Sequence, residues 1–545
     1  MMGSQNREPK VRLIVVGAPG RYKCGNPPEF GPRVVIGVRR RPPTPCQRGS
    51  LGAPVPSSRL EVDLGAVDRN LGVIRRVVTA SPTQDGESPS RANARPGAHK
   101  VAICAVLKQD GYGTGALRIA KRLAAAGADM IAVYSLDEAR VIAEGVPGVN
   151  ILVLMPVHGV DRHDPLYRHA SSGRLHLTLH GLDQFAAIHE MAGRIGAQIP
   201  LHLQVDTGLS RGGAMPEEAA MLLERVVASP KVRLGGLMTH FSSPCCDDAF
   251  TREQARTFRD FVETIRPTIK QAVDQGSRAV ARVNELVVHA ANSCATFRSR
   301  SYHGTMVRVG QSVLGYVGDD VPEGERFEFR EEMELLEPSV RWVSGVAHVQ
   351  EIPAGWPVGY GSTWRAPARA DGRRTKIALI PVGYADGFPR PLGGRGSGGP
   401  GSIGFTGRLY ERKPAGDGEI AGEVNALPTV YAPVVGRVSM DQITVDVTDV
   451  PEQYLKFTQR GTDTMLPEVE IYSRDPGTKN YLAHAADCAG TITHDLICRI
   501  SPRVERVYRT AMQAEPVRER AVVGAPVRLN GPVRATGLGG AAAVA

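Results

Sequence analysis

Val101-Ala-Ile-Cys-Ala-Val-Leu107 runs into Lys108-Gln-Asp-Gly-Tyr112-Gly-Thr-Gly115, then Ala116-Leu-Arg-Ile-Ala-Lys-Arg-Leu-Ala-Ala-Ala126, and shortly afterwards Met130-Ile-Ala-Val133. Seven apolar residues without alternation read as a strand buried on both faces. The glycine-rich turn is followed by a helix over Ala116–Ala126 with Leu117, Ile119, Ala120 and Leu123 on one face. Met130–Val133 reads as a second buried strand, so the segment is one strand–helix–strand unit. The rhythm continues with a helix over Leu136–Glu144 and strands over Ile151–Leu154, Leu201–Val205, Leu234–Thr239 and Leu286–His289. Some 250 residues of this alternation predict a parallel (β/α)8 TIM barrel.

Outward from that unit the pattern changes near residue 330. Strands are expected over Val340–Ile352, Lys376–Val382, Val434–Val447 and Val469–Tyr472, punctuated by Gly and Pro, so residues 331–513 read as a mainly β C-terminal domain. Gly393–Gly404, Lys413–Glu423 and Pro82–Ala98 read as long surface loops. The expected organisation is an extension over 1–57, a barrel over 58–330, the β domain over 331–513 and a tail over 514–545, with both ends read as disordered.

The whole chain has 545 residues and a net charge of +10, but residues 1–57 carry +8 and residues 514–545 carry +2. The interval 58–513 is therefore neutral, and it contains no recognisable nucleic-acid module; no nucleic-acid partner is expected. No run of about 18 apolar residues occurs, so no membrane span is expected. The eight cysteines form no Cys-x-x-Cys pair and no zinc-like cluster, which reads as reduced thiols in a cytoplasmic protein with no metal site.

Active sites of parallel barrels lie at the carboxyl ends of the strands. Those ends supply Lys108 and Tyr112; Asp206 through Arg211; Thr239-His240-Phe241; His289-Ala-Ala-Asn292-Ser293; and Met306-Val-Arg308-Val-Gly310. Each has a plainer reading: a Lys that merely ends a strand in solvent, or a His that is simply a satisfied core residue. Taken together they name a chemistry. A desolvated lysine near positive charge forms a Schiff base, and small glycine-rich turns with a Ser hydroxyl suit a phosphate. A cofactor bearing both an aldehyde and a phosphate is pyridoxal 5'-phosphate.

The ordered segments Ala105-Val-Leu-Lys108-Gln-Asp-Gly-Tyr112-Gly, Val205-Asp-Thr-Gly-Leu-Ser-Arg211, Gly236-Leu-Met-Thr-His240-Phe, His289-Ala-Ala-Asn-Ser293, Arg308-Val-Gly310, Gly359-Tyr360-Gly-Ser-Thr-Trp, Pro381-Val-Gly-Tyr384-Ala-Asp-Gly387 and Val435-Gly-Arg-Val-Ser-Met440-Asp441-Gln resemble the alanine racemase family. The resemblance runs from about Leu60 to Tyr508. It implies a barrel followed by a β domain, a homodimer with shared sites, and interconversion of L-alanine and D-alanine on an external aldimine, supplying D-alanine for peptidoglycan. Lys108 is implied as the Schiff-base lysine and one base, and Tyr360, from the partner subunit, as the other. Tyr112, His240, Asn292, Ser293, Arg308, Gly310 and Gln311 are implied as cofactor-binding, with Arg308 at the ring nitrogen, His240 hydrogen-bonded to Tyr360, and His289 supporting Arg308. Arg211, Met440 and Tyr384 are implied around the substrate, and Asp441 lies nearby.

Several positions depart from the family. Gln204 stands where a lysine that can be carbamylated is common, Asp110 and Thr114 replace Asn and His, and Pro502 stands near where some members place a phosphate-binding Tyr. The alternative within the same chemistry is a racemase of broader range, acting on serine or other small amino acids. A decarboxylase of the same fold would need an acidic residue where Arg308 stands. A cofactor-binding protein without catalysis leaves Tyr360 and Met440 unexplained.

Overall fold

The computed structural model describes residues 58–79, 101–280, 286–318, 321–322, 324–394, 401–410, 427–460 and 463–510. The expected tails at 1–57 and 514–545, and the expected loops at Pro82–Ala98 and Lys413–Glu423, lie outside the described residues.

Eight parallel strands form a nearly closed barrel. In spatial order they are Val287–His289, Val232–Met238, Ile199–Gln204, Leu175–Leu179, Ile151–Val153, Met130–Val133, Ala102–Val106 and Met306–Val309. Two backbone hydrogen bonds span the seam between the last and the first: Thr305 N–H to Val288 O and Arg308 N–H to Ala291 O, both 2.8 Å. Helices cover the outside. Leu136–Gly145 starts at a capping box in which Ser135 accepts from Glu138 N–H and the Glu138 side chain reaches back, satisfying two otherwise orphaned donors. Ala116–Ala125 buries Ala116, Ile119, Ala120 and Leu123 against the barrel, while Leu117 is only half-buried.

The strand register decides what fills the barrel. Cys104 pairs with both Met130 and Arg308, Ala132 with Leu152, Leu152 with His176, Thr178 with His202, His202 with Gly236, and Met238 with His289. Paired residues share a face, so all of these point into the lumen. One side of the lumen is apolar, built from Cys104, Val106, Met130, Ala132, Leu152 and Met306. The other side carries histidines and Arg308.

The second sheet has ten strands, ordered His348–Ile352, Thr375–Ile380, Ile443–Asp446, Val430–Val435, Ser402–Tyr410, Asp463–Tyr472, Val340–Gly345, Arg59–Asp63 and Glu505–Arg509, with Thr458–Arg460 pairing with Asp463–Tyr472 off that path. Several expectations are corrected here. Arg59–Asp63, placed by sequence in the 58–330 barrel segment, is a strand of this second sheet, pairing antiparallel with Val340–Gly345 and parallel with Glu505–Arg509. Val340–Ile352 is two strands. At its break Val346 N–H bonds Pro467 O and Ala347 N–H bonds Leu379 O, so the chain changes partner strand there. Val434–Val447 likewise divides into Val430–Val435 and Ile443–Asp446, with a loop between them. Part of the expected Gly393–Gly404 loop is strand: Ser402 begins Ser402–Tyr410, whose Ile403 and Phe405 are buried. Two helices, Leu482–Ala489 and Thr493–Arg499, interrupt the mainly β half. The second packs on the barrel rim, where a Cβ at Gly113 would stand 2.9 Å from Ile497 O.

Candidate active site

Lys108 follows the Ala102–Val106 strand by two residues and begins a left-handed turn. Gln109, Asp110 and Tyr112 have φ of 54°, 51° and 59°, and Gly111 has 64°. Successive non-glycine residues in this region are strained, and such strain persists only where the surroundings over-determine it. Gly111 N–H bonds Leu107 O, Gly113 N–H bonds Gln109 O, and Gly115 N–H bonds Asp110 O. Gln109 N–H bonds Glu138 Oε1 at 2.7 Å. The departures from the family pattern contribute directly: Asp110 Oδ1 accepts from Ala116 N–H at 2.8 Å at the start of the next helix, and the buried Thr114 hydroxyl bonds Gly111 O at 2.5 Å. From the other sheet, Arg506 Nε donates to Gly113 O at 3.0 Å and Tyr508 Oη to Thr114 O at 2.9 Å. Burial first, and then the charge of Arg211, lower the Lys108 pKa below the ordinary amine value, which favours the neutral amine that imine chemistry needs.

Beside the turn is a cradle. Tyr112 is buried, and burial pushes its phenol pKa above the ordinary value. Its hydroxyl lies so close to Gly310 that a Cβ there would stand 2.0 Å away. Ser293 Oγ accepts from Gly310 N–H at 3.0 Å and from Ser312 N–H at 3.2 Å. Gln311 hydrogen-bonds His494 through its side-chain amide, and the His494 ring meets Tyr112 edge-on at 6.3 Å. Asn292 turns elsewhere: its Oδ1 caps the Ser293–Arg298 helix by accepting from Ala295 N–H at 3.0 Å.

Arg308 is buried and ties the ends of Val232–Met238 and Val287–His289 to its own strand. Its Nη1 donates to His289 Nδ1 and His289 O, each at 2.9 Å; its Nη2 donates to Thr239 O at 2.7 Å, and to His240 Nδ1 and Ala290 O at 3.1 Å. Among the described residues its Nε–H has no hydrogen-bond partner. Burial lowers its pKa to about 10, which leaves it charged at neutral pH. The same burial, with Arg308 as the nearest charge, holds His240 and His289 neutral.

Arg211 is exposed in the loop after Ile199–Gln204. Asp206 Oδ1 staples that loop by accepting from the N–H groups of Gly208, Leu209 and Ser210 at 2.9–3.1 Å. Gln204 donates to Gly212 O at 2.8 Å, so it steadies the backbone next to Arg211 rather than the guanidinium.

Tyr360, Met440 and Tyr384 come from the second half of the chain: Tyr360 sits in the turn of a separate two-stranded hairpin, Pro357–Val358 with Trp364–Arg365, and Met440 and Tyr384 sit in loops. They are 72%, 53% and 43% exposed. Tyr360 lines a cavity of about 540 Å³ together with His348, Gln350, Arg437 and Ser439, all from the second sheet and its loops. Gly359 (φ 72°) permits the sharp approach, since a Cβ there would stand 3.1 Å from Arg437 N. Met440 O accepts from Ala385 N–H at 2.9 Å, whereas its own N–H has no partner among the described residues. Asp441 is salt-bridged to Arg503 at 2.9 Å, and Arg503 also holds Asp386 at 2.6 Å. That makes Asp441 an anchor of the turn carrying Met440.

His494, and the lumen histidines His176 and His202, are site neighbours that sequence reasoning missed. The lumen pair left a signal: polar residues alternating with leucines in Leu175-His-Leu-Thr-Leu179 and Leu201-His-Leu-Gln204. His494 left none. Among the described residues no His, Cys, Asp and Glu group would hold a metal ion, and no helix is long and apolar enough to cross a membrane.

The chain matches the family model described as the alanine racemase N-terminal domain over residues 91–317, and the one described as the C-terminal domain over 339–408 and 418–508. It is 30% identical to an alanine racemase of Treponema pallidum over 433 residues, covering 78% of this chain and 95% of that one. The structure resembles the crystal structure of alanine racemase from D-cycloserine-producing Streptomyces lavendulae, with a TM-score of 0.61, 25% identity, and coverage of 85% of this chain and 99% of the other. It shares its fold, at 22% identity and a TM-score of 0.56, with alanine racemase from Bartonella henselae, whose structure holds covalently bound pyridoxal phosphate; 83% of this chain and 99% of that one are covered.

Proposed function

The chain belongs to the alanine racemase family, a pyridoxal-phosphate-dependent group of isomerases, and from that premise we propose that it interconverts L-alanine and D-alanine with two bases contributed by two subunits. The observation that carries this reading is the separation of its parts. Lys108, Tyr112, Ser293, Arg308 and Gly310 converge at the barrel rim, whereas Tyr360, on its own hairpin, and the unsatisfied Met440 N–H, in a loop, stand exposed in the second half of the chain. A homodimer that seats one subunit's second sheet over the other's barrel would complete two sites.

The residues present suit the cofactor. Lys108 offers an amine whose pKa is lowered, the Tyr112–Ser293–Gly310 cradle excludes even a Cβ, and Arg308 keeps one N–H free. When bound, the cofactor supplies the electron sink that acidifies the substrate Cα–H. Lys108 moves the Cα proton on one face. The partner's Tyr360 moves it on the other, so neither base has to cross the substrate. Arg308 donates a hydrogen bond but cannot surrender its proton, which limits charge build-up at the ring nitrogen and restrains side reactions. Arg211 and the Met440 N–H offer a cation and a donor to the substrate carboxylate. Under the same reading, the barrel and the second sheet, which includes Arg59–Asp63, form the two functional units, and the enzyme supplies D-alanine for peptidoglycan in the cytoplasm.

The test is chiral detection of D-alanine formed from L-alanine by purified protein with pyridoxal phosphate, and of the reverse reaction. Conversion in both directions is expected. Serine and larger amino acids are run alongside, and turnover of these with alanine untouched would move the assignment to the broader racemase.

A further inference from the structure

Lumens of (β/α)8 barrels are ordinarily filled by branched apolar side chains. Half of this lumen is instead a column of imidazoles. His289 Nε2 meets His202 Nδ1 at 2.8 Å, and His202 Nε2 meets His176 Nδ1 at 2.9 Å. The column descends from the last residue of Val287–His289, through the middle of Ile199–Gln204, to the second residue of Leu175–Leu179.

The tautomers follow from one fact: a guanidinium only donates. Arg308 Nη1 bonds His289 Nδ1, so that nitrogen carries no proton. The proton of His289 is then on Nε2, facing His202 Nδ1, which must accept. His202 is in turn protonated on Nε2 and donates to His176 Nδ1. Three neutral rings point their donors the same way, away from Arg308. Burial, with the charge of Arg308 added, keeps His202 and His289 neutral.

The backbone independently makes room for this arrangement. The pairing of Ile199–Gln204 with Val232–Met238 shifts register at Leu201/His202, skipping Gly235. A Cβ at Gly236 would stand 2.6 Å from His202 Nδ1, and one at Gly235 would stand 3.1 Å from His202 Nε2 and 3.3 Å from His176 Nδ1. Both glycines, and the irregularity between them, clear space for these two rings.

We propose that His176 and His202 are positioning residues for the reaction: with His289 they form a tautomer-aligned column that fixes the Arg308 guanidinium and leaves its Nε–H as the one donor free for the cofactor ring. This rests on the reading that pyridoxal phosphate binds beside Arg308. His202 accepts the only N–H of His289. Without it that buried donor is orphaned, and the His289 ring is free to turn a C–H or N–H toward Arg308. His176 does the same for His202 one step further down.

The test uses ¹⁵N-histidine-labelled full-length protein, wild type and His202→Leu, His202→Gln and Gly236→Ala. Glutamine accepts through its oxygen and donates through its nitrogen, so it can replace both bonds of the ring. In wild type, with or without cofactor, the ring ¹⁵N shifts should place the proton of all three column histidines on Nε2. In His202→Leu, kcat should fall roughly tenfold or more with KM nearly unchanged, as for other supports of a reacting group. The fraction of turnovers diverted to transamination, in which alanine and pyridoxal phosphate leave as pyruvate and pyridoxamine phosphate, should rise. His202→Gln should restore both, and Gly236→Ala should behave like His202→Leu. A proton on Nδ1 of His202 in folded wild type overturns the proposal without any variant. So does a folded His202→Leu with wild-type kcat and product ratio, or an equal loss in the Leu and Gln variants. Wild type that neither binds pyridoxal phosphate nor racemises alanine sinks the functional reading instead, and the tautomers of the cofactor-free protein still judge the column.

Discussion

Gly310→Ala should damage cofactor binding through a neighbour rather than directly. The added Cβ would stand 2.0 Å from Tyr112 Oη, 3.0 Å from Cζ and 3.2 Å from Cε2. Ordinary carbon contacts begin at about 3.5 Å, so the ring must withdraw by about 1 to 1.5 Å. Tyr112 is 6% exposed and sits at φ 59° in a turn pinned at both ends, so little slack exists. Under the proposed function, moving the hydroxyl that far would forfeit the hydrogen bond Tyr112 gives an ionised cofactor phosphate, worth about 1.5–3 kcal/mol. That predicts a roughly 10- to 150-fold rise in the Kd for pyridoxal phosphate. Overpacking should also lower stability by about 1–3 kcal/mol. The assay is titration of cofactor-free protein with pyridoxal phosphate, followed by absorbance, for wild type, Gly310→Ala, Tyr112→Phe and the double variant. Because both changes remove one hydroxyl contact, the losses should fall short of additive by about 1 kcal/mol or more. A Gly310→Ala protein that binds within about twofold of wild type, or strictly additive losses, would refute the coupling of Gly310 to Tyr112.

The second sheet should be acid-sensitive through Glu61. Burial disfavours its charge, but Arg341, Arg59 and Arg509 outweigh that and bring the pKa from 4.5 to about 2. A depressed folded-state pKa contributes stability that is complete above the unfolded value and is lost as pH falls through the folded one, here about 3 kcal/mol between roughly pH 4.5 and 2. Urea midpoints measured from pH 6 to 3 should fall steeply in wild type, and Glu61→Gln should be less stable at pH 6 with a flatter profile. Asp110→Ala should cost about 1 kcal/mol by removing the acceptor for Ala116 N–H, read as a lower thermal midpoint, and should weaken cofactor retention by loosening the Lys108 turn. Tyr360→Phe, at a position 72% exposed, should leave stability within about 0.5 kcal/mol and cofactor absorbance unchanged. Racemisation should nevertheless fall by about 100-fold or more, in line with loss of a general base.

The barrel was legible where local pattern and burial agree. Val101–Leu107 is apolar on both faces, and the carboxyl-end rule then placed Lys108, Arg211, His240 and Ser293 on one rim without knowledge of tertiary contacts. Arg59–Asp63 was not legible as part of the second sheet. Its partners, Val340–Gly345 and Glu505–Arg509, are hundreds of residues away, and the buried Glu61 is tolerable only because Arg59, Arg341 and Arg509 surround it. Val340–Ile352 read as one strand because both halves are rich in β formers; the break comes from a change of hydrogen-bond partner at Val346 and Ala347, with Gly345 beside it as the local hint. Glycine density disguised the start of Ser402–Tyr410 as loop. At the site, Asp110 and Thr114 read from sequence only as departures from the family pattern, and their hydrogen bonds show them to be staples of the Lys108 turn. The imidazole column was hidden for a different reason. Each of its histidines is visible in sequence, but joining them requires the register between strands, including the skipped Gly235.

The central claim is that each site takes Lys108 from one subunit and Tyr360 from the other. It is tested most directly by co-expressing differently tagged Lys108→Ala and Tyr360→Phe chains and isolating the mixed population. Each variant alone should be nearly inactive. A mixed dimer holds one doubly damaged site and one intact site, so the isolated mixed dimers should recover about half of wild-type activity, and the unfractionated random mixture about a quarter. Mixed dimers that form and remain inactive would contradict the shared-site account.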